Sequence, residues 1–243
     1  MLSDWIAPDW SAPVRVRALA TTRLGGVSLA PYASLNLGDH VGDTPADVAE
    51  NRARLRAHLP AEPFWMRQVH GTVCVDAGQA TPGIEADAAF ARSPGIVCAV
   101  LTADCLPILL CDTAGKVVAA AHAGWRGLAS GVIESTVAAM GVPGERLMAW
   151  LGPAIGPQSF EVGNEVSTAF LLQSAQAASA FVPRSDSKWL CDLYTLAAQR
   201  LTALGVSRIA GAEFCTVRET ERFFSYRRDG ATGRMASLIW LDA

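Results

Sequence analysis

Ile96-Val97-Cys98-Ala99-Val100-Leu101 is an unbroken apolar run. Leu106-Pro107-Ile108-Leu109-Leu110-Cys111 is a second, and Val117-Val118-Ala119-Ala120-Ala121 a third. Runs this short and this apolar read as strands covered on both faces, with helices needed outside them. Between the first two lies the polar insert Thr102-Ala103-Asp104-Cys105. The third runs into His122-Ala123-Gly124-Trp125-Arg126-Gly127. A polar break inside buried sequence has either a partner or a task.

Working outward, Val14 to Thr21 alternates apolar residues with arginine and reads as a strand. Pro45 to about Leu59 reads as a helix capped by Asp43 or Thr44, burying Val48, Leu55 and Leu59. Phe64 to Val75 is expected to be a strand carrying Gln68 and His70. A helix is expected from about Leu128 to Met140, with Val132 and Ile133 inward and Gly141 stopping it. Leu147 to Leu151 reads as a short strand. Asp192 is expected to cap a helix burying Leu193, Leu196, Leu201 and Leu204, with Gly205 ending it. Val206 to Val217 and Met235 to Leu241 read as strands, with Asp229-Gly230 a turn between them. Strands and helices are interleaved without strict alternation. The expectation is an α/β fold with a mixed sheet and outer helices, as one domain over residues 1–243.

The chain has 243 residues, 51% of them hydrophobic, and a net charge of -3. No long basic run is present, so the electrostatic footprint of a nucleic-acid binder and that of a polybasic membrane anchor are both missing. The N-terminal stretch MLSDWIAPDWSAP has no positive region followed by a long apolar one, so no signal peptide is expected. No window reaches about 18 apolar residues. The expected location is cytoplasmic, without membrane or nucleic-acid partners. The six cysteines form no CxxC pair and are expected to be reduced.

Of four histidines, His58 sits in a charged helical segment and His40 in a Gly-Asp turn segment. His70 and His122 stand at expected strand ends beside glycine, and Cys105 occupies the polar insert. Two imidazoles and a thiolate suit zinc or copper, and three protein ligands leave one tetrahedral position for chemistry. The start of the helix after His122 reads as an anion site, with Arg126 a bidentate grip. Trp125 reads as a packing residue, and Asn36 and Gln68 as residues that bond backbone.

Arg67-Gln68-Val69-His70-Gly71, Thr102-Ala103-Asp104-Cys105-Leu106-Pro107 and His122-Ala123-Gly124-Trp125-Arg126-Gly127 together resemble the laccase-domain family. It is also called multicopper polyphenol oxidase-like or YfiH-like. Thr21 to Ser28, Ser34 to Gly38, Gly152 to Gly156, Cys215-Thr216 and Phe224 to Arg228 add to the likeness, which runs from about Thr21 to Leu241. The resemblance implies a cysteine-hydrolase-like (YfiH-like) fold and zinc on His70, Cys105 and His122, with copper the alternative. It implies phosphorolysis of adenosine, inosine and methylthioadenosine, with adenosine deamination. Purine nucleosides and phosphate would then be the small-molecule partners. Arg23, Arg126 and Arg227 become phosphate or base-edge candidates, Asn36 and Gln68 substrate contacts, and Asp104 or Glu161 the proton-shuttling acid.

Three other readings share these residues. Some bacterial members are peptidoglycan editing factors, cytoplasmic hydrolases that remove L-serine from a muramic acid precursor. Cys105 would then act as nucleophile with His122 as base, or zinc would serve the hydrolysis. Phenol oxidation by several coppers needs about ten histidines, mostly in His-x-His pairs; this chain has four. A non-catalytic binding module is the last reading.

Overall fold

The computed structural model describes residues 4–243. Met1, Leu2 and Ser3 of the N-terminal stretch read above lie outside the described residues. In chain order the strands are β1 (Val16–Ala20), β2 (Pro63–Phe64), β3 (Cys74–Asp76), β4 (Ala88–Ala91), β5 (Val97–Thr102), β6 (Leu106–Asp112), β7 (Val118–Ala123), β8 (Leu147–Leu151), β9 (Glu161–Gly163), β10 (Phe181–Ser185), β11 (Lys188–Cys191), β12 (Arg208–Gly211) and β13 (Met235–Leu241). The helices are α1 (Pro45–Arg56), α2 (Trp125–Ser130), α3 (Val132–Met140), α4 (Asn164–Leu171), α5 (Leu193–Ala203) and α6 (Tyr226–Asp229).

The fold is mixed α/β with several sheets. A four-stranded sheet has the order β1-β13-β5-β2, a six-stranded sheet β12-β8-β6-β7-β4-β3, and a small one β10-β11-β9. The two larger sheets pack face to face. Successive side chains of a strand point to opposite faces, and this alternation sorts the core. Leu109 and Cys111 of β6 join Val118 and Ala120 of β7 against Cys98, Val100 and Ile239 of the other sheet. Ile108, Leu110, Ala119 and Ala121 face the opposite way, against Leu128, Ile133, Val137 and Leu196 of the outer helices. The far side of the four-stranded sheet, with Ala99, Leu101 and Leu238, is covered by Leu55 and Leu59. The layers therefore run α1, sheet, sheet, helices. Each fully buried leucine or isoleucine in them contributes about 1.5–3 kcal/mol relative to exposure. No helix among the described residues is long and apolar enough to cross a membrane.

Four expectations need correction. Phe64 to Val75 is not one strand: only Pro63–Phe64 and Cys74–Asp76 are extended, and the segment between them is loop. The helix expected from Leu128 starts at Trp125 and is split at Gly131. Gly131 has φ 103°, a left-handed conformation open to glycine, and its N–H caps the Gly127 and Leu128 carbonyls. The strand expected from Val206 shrinks to Arg208–Gly211, paired in parallel with β8. Asp229-Gly230 does not join two strands but closes the short α6. Asp192 does cap α5, accepting from the N–H groups of Tyr194 and Thr195. Thr44 takes the cap position of α1 without a side-chain bond. Asp43 instead accepts from the Ser28 hydroxyl at 2.6 Å and from Asn36 at 2.8 Å.

Candidate metal centre

Register brings Cys105 and His122 together. β6 and β7 are antiparallel neighbours, with Leu106 opposite Ala123 and Pro107 opposite His122. Cys105 therefore stands just beyond the end of the ladder, beside Gly124. A Cβ on Gly124 would lie 2.9 Å from the Cys105 sulfur and 2.8 Å from Cδ2 of His70. Only glycine lets the chain pass this close to both.

His70 arrives from the loop between β2 and β3. Its φ is 59°, a conformation that costs a non-glycine residue about 1–3 kcal/mol unless the surroundings hold it. Asp87 holds it. This fully buried carboxylate accepts from the backbone N–H groups of Val69 (3.1 Å), His70 (2.9 Å) and Gly71 (2.6 Å). It also bonds Nδ1 of His122 at 2.8 Å, while its own carbonyl accepts from the His122 N–H at 2.7 Å. One side chain thus fixes the positions of two histidines.

The result is a compact donor set. One ligand atom each of His70, Cys105 and His122 lies within 4.8 Å of the others, and the three can hold a metal ion. The Cys105 sulfur is 3.7 Å from Nε2 of His70. Tetrahedral coordination with bonds of about 2.0–2.3 Å places such atoms about 3.5 Å apart, so spacing and chemistry both fit. His122 is buried, Cys105 half-buried and His70 exposed, so the group faces outward from a rigid base.

The charges are strongly coupled. Burial pushes the Cys105 thiol up, but the charge and hydrogen bond of His122, with His70 behind it, bring it down to about 6. Burial pulls His122 down, but Cys105 and then Asp87 raise it to about 9. Burial raises the Asp87 carboxyl, and its bonds from His122 and the Gly71 amide outweigh that and lower it.

The trio opens into a cavity of about 550 Å³. Trp125, Phe160 and Tyr226 give it aromatic walls, and Arg126, Arg227, Arg234 and His40 give it donors. Asp104 is the one carboxylate on its wall among the described residues. That balance favours a flat apolar ligand with an anionic group.

The family model described as "Multi-copper polyphenol oxidoreductase laccase" matches residues 17–242. The chain belongs to this family. Within it, the chain is 55% identical over 242 residues to a purine nucleoside phosphorylase of Pseudomonas aeruginosa, covering 99% of this chain and 100% of that one. It is also 55% identical over 243 residues to purine nucleoside phosphorylase YfiH of Escherichia coli, with the same coverage. A crystal structure of a Neisseria meningitidis protein superposes with a TM-score of 0.95 at 52% identity, covering 99% of this chain and 100% of the other. The crystal structure of YlmD from Geobacillus stearothermophilus gives 0.87 at 32% identity, with 95% and 93% covered.

The other residues singled out in this laccase-like sequence are divided by the structure. Asp104, Arg126 and Arg227 line the cavity. Asp104 has φ 98° and is pinned by the Thr216 hydroxyl and the Arg227 backbone N–H, both at 2.6 Å. Gln68 lines the cavity too, but its amide is committed to both backbone groups of Leu101. Arg23 and Asn36 are not on the cavity wall. Arg23 clamps the Ala33 and Thr220 carbonyls and lies 4.9 Å over the Phe224 ring. Asn36 is fully buried among backbone groups. The Glu161 side chain pairs with Arg184 at 3.5 Å, away from the cavity wall.

Sequence reasoning missed Asp87, His40 and Arg234. Asp87 had a legible signal: a lone carboxylate inside Ala86-Asp87-Ala88-Ala89-Phe90, the same kind of polar break that marked Cys105. His40 and Arg234 sit in polar loop sequence and carry no such mark.

Proposed function

We propose that the protein is a zinc-dependent purine nucleoside phosphorylase acting on adenosine, inosine and methylthioadenosine, with adenosine deaminase activity, the whole chain forming one catalytic unit. The observation that carries the reading is the convergence of His70, Cys105 and His122 on the wall of an aromatic, arginine-lined cavity. The names of the relatives support it. Zinc is favoured over copper because a mixed imidazole–thiolate set with one vacant position is the pattern of catalytic zinc sites.

In phosphorolysis, a phosphate oxygen forms a bond to ribose C1′ while the C1′–N9 bond breaks. Its electron pair leaves with the purine, which takes up a proton. In deamination, a water oxygen bonds to C6 of the adenine ring, the C6–N6 bond breaks with its electron pair on nitrogen, and ammonia departs carrying a proton drawn from that water. Zinc, when bound, supplies a Lewis acid that polarises an oxygen ligand and eases its loss of a proton. His70, Cys105 and His122 hold it, and Asp87 keeps the His122 ring turned. Trp125, Phe160 and Tyr226 give the purine aromatic walls to pack against. The cavity arginines offer charge to phosphate. Of the two candidate acids, Asp104 lines the cavity and Glu161 does not, so Asp104 is the group to hold the transferred proton.

The test is phosphate-dependent release of adenine from adenosine. Cys105→Ala is expected to abolish it. Unchanged turnover in that variant would remove the proposal.

One observation favours a second reading. Cys105, His122 and Asp87 also form a thiol–imidazole–carboxylate series, with the thiol lowered to about 6. That suits a metal-free nucleophile cleaving an amide, as in removal of serine from a cell-wall precursor. Loss of activity with a chelator, and no serine released from a seryl precursor, would exclude it.

A further inference from the structure

Arg234 lines the same cavity as Cys105 and has no carboxylate ion pair among the described residues. Its orientation is fixed from one side. Nη1 donates to the Thr232 carbonyl at 2.9 Å and to that of Gly233 at 3.0 Å. The guanidinium lies 6.0 Å over the Tyr226 ring. Nε and Nη2 donate to no protein atom among the described residues. Those two nitrogens form the edge from which a guanidinium grips an oxyanion with two parallel bonds. Burial pulls this guanidinium below its ordinary value, and the negative charges of Cys105 and Asp104 offset part of that pull. A pre-oriented guanidinium with a free donor edge on the cavity wall is ready to receive an anion.

The neighbouring turn is built onto it. The side-chain oxygen of Asn36 accepts from the backbone N–H of Arg234 and from that of Gly38, both at 2.9 Å. The Asn36 amide donates to the Gly38 carbonyl at 3.0 Å. Gly38 packs so closely that a Cβ there would lie 2.8 Å from Cγ of Arg234. This turn presents His40 to the cavity, with Nδ1 3.5 Å from the Asp39 carboxylate. The other cavity arginines are disposed differently. Arg126 is exposed and stacks 4.5 Å over Trp125, and Arg227 donates to the Glu161 carbonyl.

We propose that Arg234 and His40 form the subsite for the phosphate co-substrate, on the turn that the Asn36 side chain ties together. The proposal rests on the phosphorylase reading. It moves the phosphate grip from Arg126 and Arg227 to a cation that sequence reasoning did not single out.

The experiment uses the full-length, zinc-loaded protein with inorganic phosphate as probe. KM for phosphate and for adenosine is measured in the wild type, in Arg234→Lys, which keeps the charge but loses the fork, and in His40→Ala on an exposed loop. Arg234→Lys is expected to raise the phosphate KM about tenfold or more, the scale of one lost bidentate contact, and the adenosine KM less than about twofold. His40→Ala is expected to raise the phosphate KM alone, several-fold. An unchanged phosphate KM in Arg234→Lys, or equal rises for both substrates, overturns the subsite. If the wild type releases no adenine with phosphate, the phosphorylase reading has failed, and calorimetric titration of phosphate decides the subsite separately. Binding to the wild type that weakens about tenfold in Arg234→Lys upholds it. No binding, or equal binding, overturns it.

Discussion

Asp87 Oδ1 lies 2.8 Å from Nδ1 of His122, and the same carboxylate accepts three backbone N–H groups from the loop that carries His70. All four partners are donors to a group with no solvent exposure. An asparagine there would turn its amide NH₂ toward donors in either orientation. Asp87→Asn is therefore expected to weaken zinc binding about 10- to 100-fold, the usual effect of removing the carboxylate behind a ligating histidine. Competition against a chromogenic chelator measures this, and unchanged affinity would contradict the role given to Asp87.

Gly124→Ala should disable the centre from the other side. The added methyl group would meet the Cys105 sulfur and the His70 ring at less than 3 Å. Overpacking of this kind costs about 1–3 kcal/mol. The variant is expected to fold, by circular dichroism, and to lose stoichiometric metal. Full zinc content by elemental analysis would show that the close approach is not needed.

The metal-free protein has a pH signature. The Cys105 thiol lies below its ordinary value, at about 6, so its ionised form is favoured by the fold and is lost as pH falls through about 6. His122 lies above its ordinary value, at about 9, so its charged form is lost as pH rises through about 9. A thiolate–imidazolium pair therefore holds between these limits, as a coupled titration. Iodoacetamide should label Cys105 with a midpoint near 6, ahead of Cys74, Cys111 and Cys191, which burial pushes to about 12. Zinc should protect it. A midpoint near the ordinary thiol value would contradict this electrostatic account.

Thr216→Val removes the hydroxyl that donates to Asp104 at 2.6 Å in a buried setting. Leaving that oxygen unpaired costs about 1–3 kcal/mol. In a chain of this size each kcal/mol lowers the melting temperature by about 2–4 °C. Scanning calorimetry is expected to show that loss, with zinc content unchanged. An unshifted transition would mean that Asp104 keeps its left-handed conformation without Thr216.

The strands at the centre of the fold are legible because Val97 to Leu101 and Leu106 to Cys111 are apolar throughout and too short for an ordinary helix, as strands of a sheet covered on both faces are. Cys105 and His122 were legible as polar breaks at the ends of those runs. The loop bearing His70 has the local sequence of a strand, but its conformation is set by Asp87, distant in sequence, and not by local propensity. The resemblance puts Arg23 and Asn36 at the substrate, whereas both clamp backbone, as the residue-level reading of Asn36 has it. A side chain's type does not tell whether its partner is a ligand or the chain itself. Arg234 and His40 escaped for the same reason: only the turn held by Asn36 brings them to the cavity.

Zinc chemistry in this cavity requires that His70, Cys105 and His122 share one ion. X-ray absorption at the zinc edge of the purified protein tests it most directly. The expected spectrum has one sulfur at about 2.3 Å with nitrogen and oxygen neighbours at about 2.0–2.1 Å, and loses the sulfur shell in Cys105→Ala. A shell of nitrogen and oxygen alone, or a spectrum unchanged by that substitution, would contradict it.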